Sequence, residues 1–109
     1  MVENSVVTEG CVIDGTVINS VLSPGVKVEK NAVVKDSVIM QGTVIKSGAK
    51  VMYSILDEEV TVCENCVVGA DLEKAKEVTV LGAGTVLPCG MIVEEGKILS
   101  SDDVKGGKA

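Results

Sequence analysis

Ser20-Val21-Leu22, Ser37-Val38-Ile39 and Ser54-Ile55-Leu56 are one phrase written three times, each seventeen residues after the last. Val26-Lys27-Val28, Thr43-Val44-Ile45 and Val60-Thr61-Val62 recur at the same period, as do Ala32-Val33-Val34, Ala49-Lys50-Val51 and Cys66-Val67-Val68. Within each seventeen the triplets start six, six and five residues apart, so every long repeat holds three short ones. A fixed period of this kind marks a solenoid, in which a repeat buries its apolar side only by stacking on its neighbours.

Each triplet reads small, outward, large. Alternate side chains of a strand point to opposite faces, so the first and third residues look inward together. The inward small positions are Ser5, Cys11, Thr16, Ser20, Ala32, Ser37, Thr43, Ala49, Ser54 and Cys66, with Val26 and Val60 as larger members. The inward large positions are Val7, Ile13, Ile18, Leu22, Val28, Val34, Ile39, Ile45, Val51, Leu56, Val62 and Val68. Burying one such aliphatic contributes about 1.5–3 kcal/mol before conformational entropy is subtracted. Gly25, Asn31, Gly42, Gly48 and Asn65 fall just before triplets, where a sharp corner calls for positive φ. Three strands and three corners per turn make a triangular prism, and strands about 4.8 Å apart give a column on the order of 25 Å tall.

The pattern starts early, in Ser5-Val6-Val7, Cys11-Val12-Ile13 and Thr16-Val17-Ile18, but this first turn is two residues short and its corners must be tighter. It breaks at 71–78, where Asp71, Glu73, Lys74, Lys76 and Glu77 cannot fill a dry column; an excursion from one corner, with a single helical turn, is expected. It resumes in Thr79-Val80-Leu81, Thr85-Val86-Leu87 and Met91-Ile92-Val93. The expectation is an all-β solenoid of about five triangular coils over residues 1–99, followed by a polar, Gly-rich tail over 100–109 that caps the column loosely or stays disordered.

Composition narrows the function. The 109 residues suffice for one domain, and although 46% are apolar there is no Phe or Trp and a single Tyr. A net charge of −6 with no Arg argues against nucleic acid or an anionic membrane as partner. Nothing resembles a signal-peptide core or an apolar run of membrane-spanning length. Cys11, Cys63, Cys66 and Cys89 are too few and too irregular for a disulfide framework, and read as reduced thiols of a cytoplasmic protein.

Val28-Glu29-Lys30-Asn31-Ala32-Val33 and Ile45-Lys46-Ser47-Gly48-Ala49-Lys50 resemble the hexapeptide repeat, which implies a single-stranded left-handed parallel β-helix. The hand comes from the resemblance, since generic crossover rules favour right-handed turns. Longer stretches are more specific: Asn4 to Ile13, Gly15-Thr16-Val17, Asn19-Ser20-Val21-Leu22, Gly25 to Val28, Val33 to Met40 and Ala70 to Glu77. Together they resemble the carboxyl-terminal part of the bacterial glucose-1-phosphate adenylyltransferase (ADP-glucose pyrophosphorylase) family. The resemblance implies a nucleotidyltransferase that converts ATP and glucose 1-phosphate to ADP-glucose and pyrophosphate for glycogen synthesis. It also implies an amino-terminal catalytic domain that uses ATP and Mg, sister subunits in a homo- or hetero-oligomer, and allosteric control. That family's Gly-rich nucleotide loop, metal-binding acids and sugar-binding Lys have no counterpart here, and no GxGxxG or P-loop spacing occurs. Met1 leads straight into repeat sequence, so the expectation is a non-catalytic piece cut at a domain boundary, with no catalytic, cofactor or metal site of its own.

Other readings stay open: the module of another sugar-nucleotide pyrophosphorylase, a regulatory paralogue without an active site, a free-standing scaffold, or an acyltransferase. The last suffers because the chain has no His, the side chain best suited to general-base work near neutral pH and the usual ligand of an open zinc site. Cys63-Glu64-Asn65-Cys66 is a CxxC, but Cys66 fills a small inward slot and Cys89 has no evident partner, so a structural role is favoured over redox or zinc chemistry. The lysines lack the arginines that would complete a bidentate phosphate clamp.

The outward residues carry the remaining signal. One face runs Val6, Val21, Val38, Ile55, all apolar; a second mixes Val12, Lys27, Val44 and Thr61; a third mixes Val17, Val33, Lys50 and Val67. Strand propensity alone favours exposed Val, yet an unbroken apolar ladder is what a docking surface needs. Val6, Val21, Val38 and Ile55 are therefore the candidate face for the catalytic domain or a sister subunit.

Overall fold

The computed structural model describes residues 1–104. Its chain winds in coils of three short strands. The first coil holds β1 (Val2–Glu3), β2 (Val6–Val7) and β3 (Val12–Ile13), and the second β4 (Thr16–Ile18), β5 (Val21–Leu22) and β6 (Lys27–Val28). The third holds β7 (Val33–Lys35), β8 (Val38–Ile39) and β9 (Val44–Ile45), and the fourth β10 (Lys50–Met52), β11 (Ser54–Leu56) and β12 (Thr61–Val62). The fifth holds β13 (Val67–Gly69), β14 (Thr79–Leu81) and β15 (Val86–Leu87). A last, incomplete coil holds β16 (Ile92–Val93) and β17 (Ile98–Leu99), and the helical turn α1 (Ser101–Val104) follows where its third strand would fall.

Every third strand pairs in parallel, giving three sheets: β1-β4-β7-β10-β13-β16, β2-β5-β8-β11-β14-β17 and β3-β6-β9-β12-β15. They close the triangular left-handed β-helix, with the expected five or so coils complete and most of a sixth added. Leu22, Ile39, Leu56 and Leu81 lie one above another in consecutive registers, all fully buried. Val28, Ile45, Val62 and Leu87 fill the second wall, and Val34, Val51, Val68 and Val93 the third. Stacking like on like keeps each rung equally wide, which is how a core without large rings packs.

One register expectation is wrong. Thr16-Val17-Ile18 is not small, outward, large: Val17 is fully buried and pairs with Val34, while Thr16 and Ile18 are half-buried and pair with Val33 and Lys35. The two missing residues lie at the corner Asp14-Gly15, which stands where Glu29 to Ala32 stand one coil later. Gly15 takes the small inward slot, and a Cβ there would meet the carbonyl oxygens of Ala32 at 2.5 Å and Glu29 at 2.6 Å. Val7, Ile13 and Cys11 point inward as expected but stay partly open because β1, β2 and β3 all lie at one end of their sheets.

The corners form columns too. At one corner Ser20, Ser37 and Ser54 stack, each amide donating to the hydroxyl one coil below: Ser20 to Ser5 at 3.0 Å, Ser37 to Ser20 and Ser54 to Ser37 at 3.1 Å. Each hydroxyl in turn donates to a carbonyl two residues back, as Ser37 does to Lys35 at 2.7 Å. Thr79 continues the column, its hydroxyl accepting from the Gly96 amide at 3.1 Å. The residue before each serine is left-handed, at Asn4, Asn19, Asp36 and even Tyr53 (φ 45°). Corner position, rather than residue type, sets that conformation, at a steric cost for Tyr53 that the stack above and below must offset.

Residues 71–78 leave this corner as anticipated, with one hydrogen-bonded turn closed by the amides of Lys74 and Ala75 on the Asp71 carbonyl, each 2.8 Å, and no assigned helix. At the far end α1 packs against β15 and β17 and seats Val104, 6% exposed, on the core. The rest of the anticipated tail, residues 105–109, lies outside the described residues.

Candidate functional site

The sheet formed by β2, β5, β8, β11, β14 and β17 carries the apolar ladder. Val6 pairs with Val21, Val21 with Val38 and Val38 with Ile55, so all four lie on one outward line. The line continues to Val80, paired with Ile55, and to Ile98, paired with Val80. Six aliphatic residues thus climb the whole face, Val6 57% and Ile98 75% exposed at its ends, with Ile55 and Val80 half-buried between them. Sequence reading found four of the six; the insert changes the local spacing and hides the other two. The second face is broken by Lys27 between Val12 and Val44. The third contains Thr16, Val33, Lys50, Val67 and Ile92, with Thr16 in the place expected of Val17, and is broken by Lys50. Only the first face is apolar from end to end.

Polar chemistry is sparse. Among the described residues no group of three His, Cys, Asp or Glu side chains comes close enough to hold a metal ion. The ion pair Lys35–Asp71, 3.4 Å and about half exposed, ties the insert to the column. Beside it Asn19, Asp36, Leu72 and Glu73 complete a shallow groove. No helix among the described residues is long and apolar enough to cross a membrane.

The cysteines differ from expectation. Cys63 and Cys89, read from the sequence as reduced and unpaired, are joined in a disulfide, their Cα atoms 4.6 Å apart. They sit at the same corner of consecutive coils, just after the paired residues Val62 and Leu87. The CxxC therefore does not act as a unit. Cys66 is a buried free thiol that donates to the Pro88 carbonyl at 3.1 Å, and burial pushes it above the ordinary thiol range. Cys11 is free and half-buried.

A dry aliphatic column, hydroxyl-lined at one corner and without a metal cluster among the described residues, defines a hexapeptide-repeat β-helix module. Residues 1–88 match the family model described as GlmU-like, C-terminal hexapeptide, and the chain belongs to that family. It is also similar to proteins named glucose-1-phosphate adenylyltransferase. That of Acetivibrio thermocellus is 38% identical over 98 residues, covering 82% of this chain and 23% of the relative. Those of Bifidobacterium adolescentis and Bifidobacterium longum are 38% and 41% identical over 96 residues, each covering 84% of this chain and 23% of the relative. The chain thus spans about a quarter of the length of the curated relatives it matches.

Proposed function

We propose that this β-helix is the carboxyl-terminal, non-catalytic module of a cytoplasmic glucose-1-phosphate adenylyltransferase, holding subunits together and coupling them to the active site. The observation that carries the reading is identity of 38–41% over more than four-fifths of the chain to proteins of that name. In this reading ATP and Mg belong to an amino-terminal catalytic domain, and the ladder Val6, Val21, Val38 and Ile55 docks that domain or a sister subunit. The ladder supports the assignment because an unbroken, outward apolar line is what a docking surface needs. No nucleic acid or membrane partner is needed.

The test is made on the longer protein that contains this chain. It should form ADP-glucose and pyrophosphate from ATP, Mg and glucose 1-phosphate, and residues 1–109 alone should not. A preference for another nucleoside triphosphate would move the module to a different sugar-nucleotide pyrophosphorylase, and turnover by residues 1–109 alone would overturn the reading. Val38→Lys, at an exposed site, should leave the column folded while shifting the assembly toward smaller species in sedimentation. Unchanged assembly and unchanged activity would remove Val38 from any interface.

A further inference from the structure

We propose that Cys63 and Cys89 form an exchangeable thiol–disulfide site that clasps the lengthened coil and reacts with low-molecular-weight disulfides and thiols. Three observations carry this. First, Cys89 is exposed and Cys63 half-buried, so a small thiol can reach the pair, whereas Cys66 beside it is sealed in the core. Second, the pair stands where one earlier pair of coils uses a weaker link. Glu29, the first residue after β6, accepts a hydrogen bond at 3.1 Å from the amide of Ser47, the second residue after β9. Cys63 is the first residue after β12 and Cys89 the second after β15, so the disulfide takes the same diagonal between successive coils. Third, the coil it closes is the one that needs closing. Val62 pairs with Leu87 across twenty-five residues where Ile45 pairs with Val62 across seventeen, because residues 71–78 intervene. The bond joins residues 26 apart and so spans that insert, limiting the added freedom of a longer coil.

The chemistry balances with a small disulfide as oxidant. The exposed Cys89 thiolate attacks one sulfur of a disulfide such as glutathione disulfide, forming a mixed disulfide and releasing one thiol. The Cys63 thiolate then attacks the Cys89 sulfur and expels the second thiol. Two protein thiols lose two electrons and two protons, and one small disulfide becomes two thiols. Excess small thiol reverses both steps.

The experiment equilibrates residues 1–109 in glutathione buffers of graded redox poise, quenches with an alkylating agent and locates the modified cysteines by mass spectrometry. Cys63 and Cys89 should gain and lose the label together in one two-electron transition, while Cys11 is labelled throughout and Cys66 is labelled only after unfolding. In Cys63→Ser the remaining Cys89 should accumulate as a mixed disulfide with glutathione. Amide exchange of β14, β15 and the insert should be faster in the reduced protein, on the order of tenfold or more, with β5 and β8 changed far less. A bond that glutathione cannot reduce in the folded protein, separate titration of the two residues, or exchange rates indifferent to redox state would each overturn the proposal.

Discussion

Ser37→Ala isolates what a hydroxyl contributes inside this column. The Ser37 hydroxyl accepts from the Ser54 amide at 3.1 Å and donates to the Lys35 carbonyl at 2.7 Å, at a residue only 3% exposed. The two partners fare differently on its removal. The Lys35 carbonyl keeps the Tyr53 amide, 3.0 Å away, whereas the Ser54 amide is left without its hydroxyl acceptor in a buried corner. An orphaned buried donor costs about 1–3 kcal/mol. For a domain of this size each kcal/mol lowers the melting temperature by about 4–8 °C. Ser37→Ala should therefore melt roughly 8–16 °C below the parent, taking a mid-range loss of about 2 kcal/mol. Ser5→Ala, at the half-buried open end, should cost less than half as much, because water can replace the lost oxygen. Circular dichroism melts give the first number, and amide exchange at Ser54 locates it. If Ser37→Ala melts within about 2 °C of the parent, the Ser54 amide is satisfied without the hydroxyl and the ladder is incidental.

Much of the fold was legible because its period is written in both small and large residues, and two independent columns of equal spacing leave little choice of register. The slip at Thr16-Val17-Ile18 has a physical origin. The true counterpart of Ala32-Val33-Val34 is Gly15-Thr16-Val17, but a glycine reads as a corner, and three β-branched residues in a row fit either face. The left-handed Tyr53 and Glu59 were hidden for the opposite reason, as neither residue favours positive φ. Their positions are imposed by the coils above and below: the Glu59 amide donates to Gln41 as the Gly42 amide does to Pro24. Size alone accounts for Ala32 and Ala49, whereas four serines at one corner required a hydrogen-bond explanation that only the stacked geometry provides. Four members of the apolar ladder followed from the repeat, but Val80 and Ile98 required the insert to be looped out. The same displacement concealed the Cys63–Cys89 pairing, since a separation of 26 is no multiple of the repeat.

The remaining predictions probe the column's width and its cap. Ala49→Leu should lose about 1–3 kcal/mol or more in denaturant unfolding, because Ala49 is fully buried and the rungs leave no room for a branched side chain; an unchanged midpoint would contradict its inward placement. Acid should release α1 before it unfolds the column. The Asp103 carboxylate accepts from the Ser100 amide at 2.7 Å and the Ser100 hydroxyl at 3.1 Å, and the amide above all holds its pKa below the ordinary carboxylate range. A depressed folded-state pKa means that the cap's contribution is fully present above the unfolded value, about 3.9, and is lost as pH falls through the lower folded value. Because Asp103 is open to solvent, the effect should be confined to the turn that seats Val104. Acidification below about pH 4 should thus loosen the Val104 methyl resonances while those of Leu56 stay fixed. Asp103→Asn should produce the loosened state at neutral pH and remove its acid dependence. A cap that stays ordered through the same titration would show that apolar contact, not the carboxylate, holds α1 against β15 and β17.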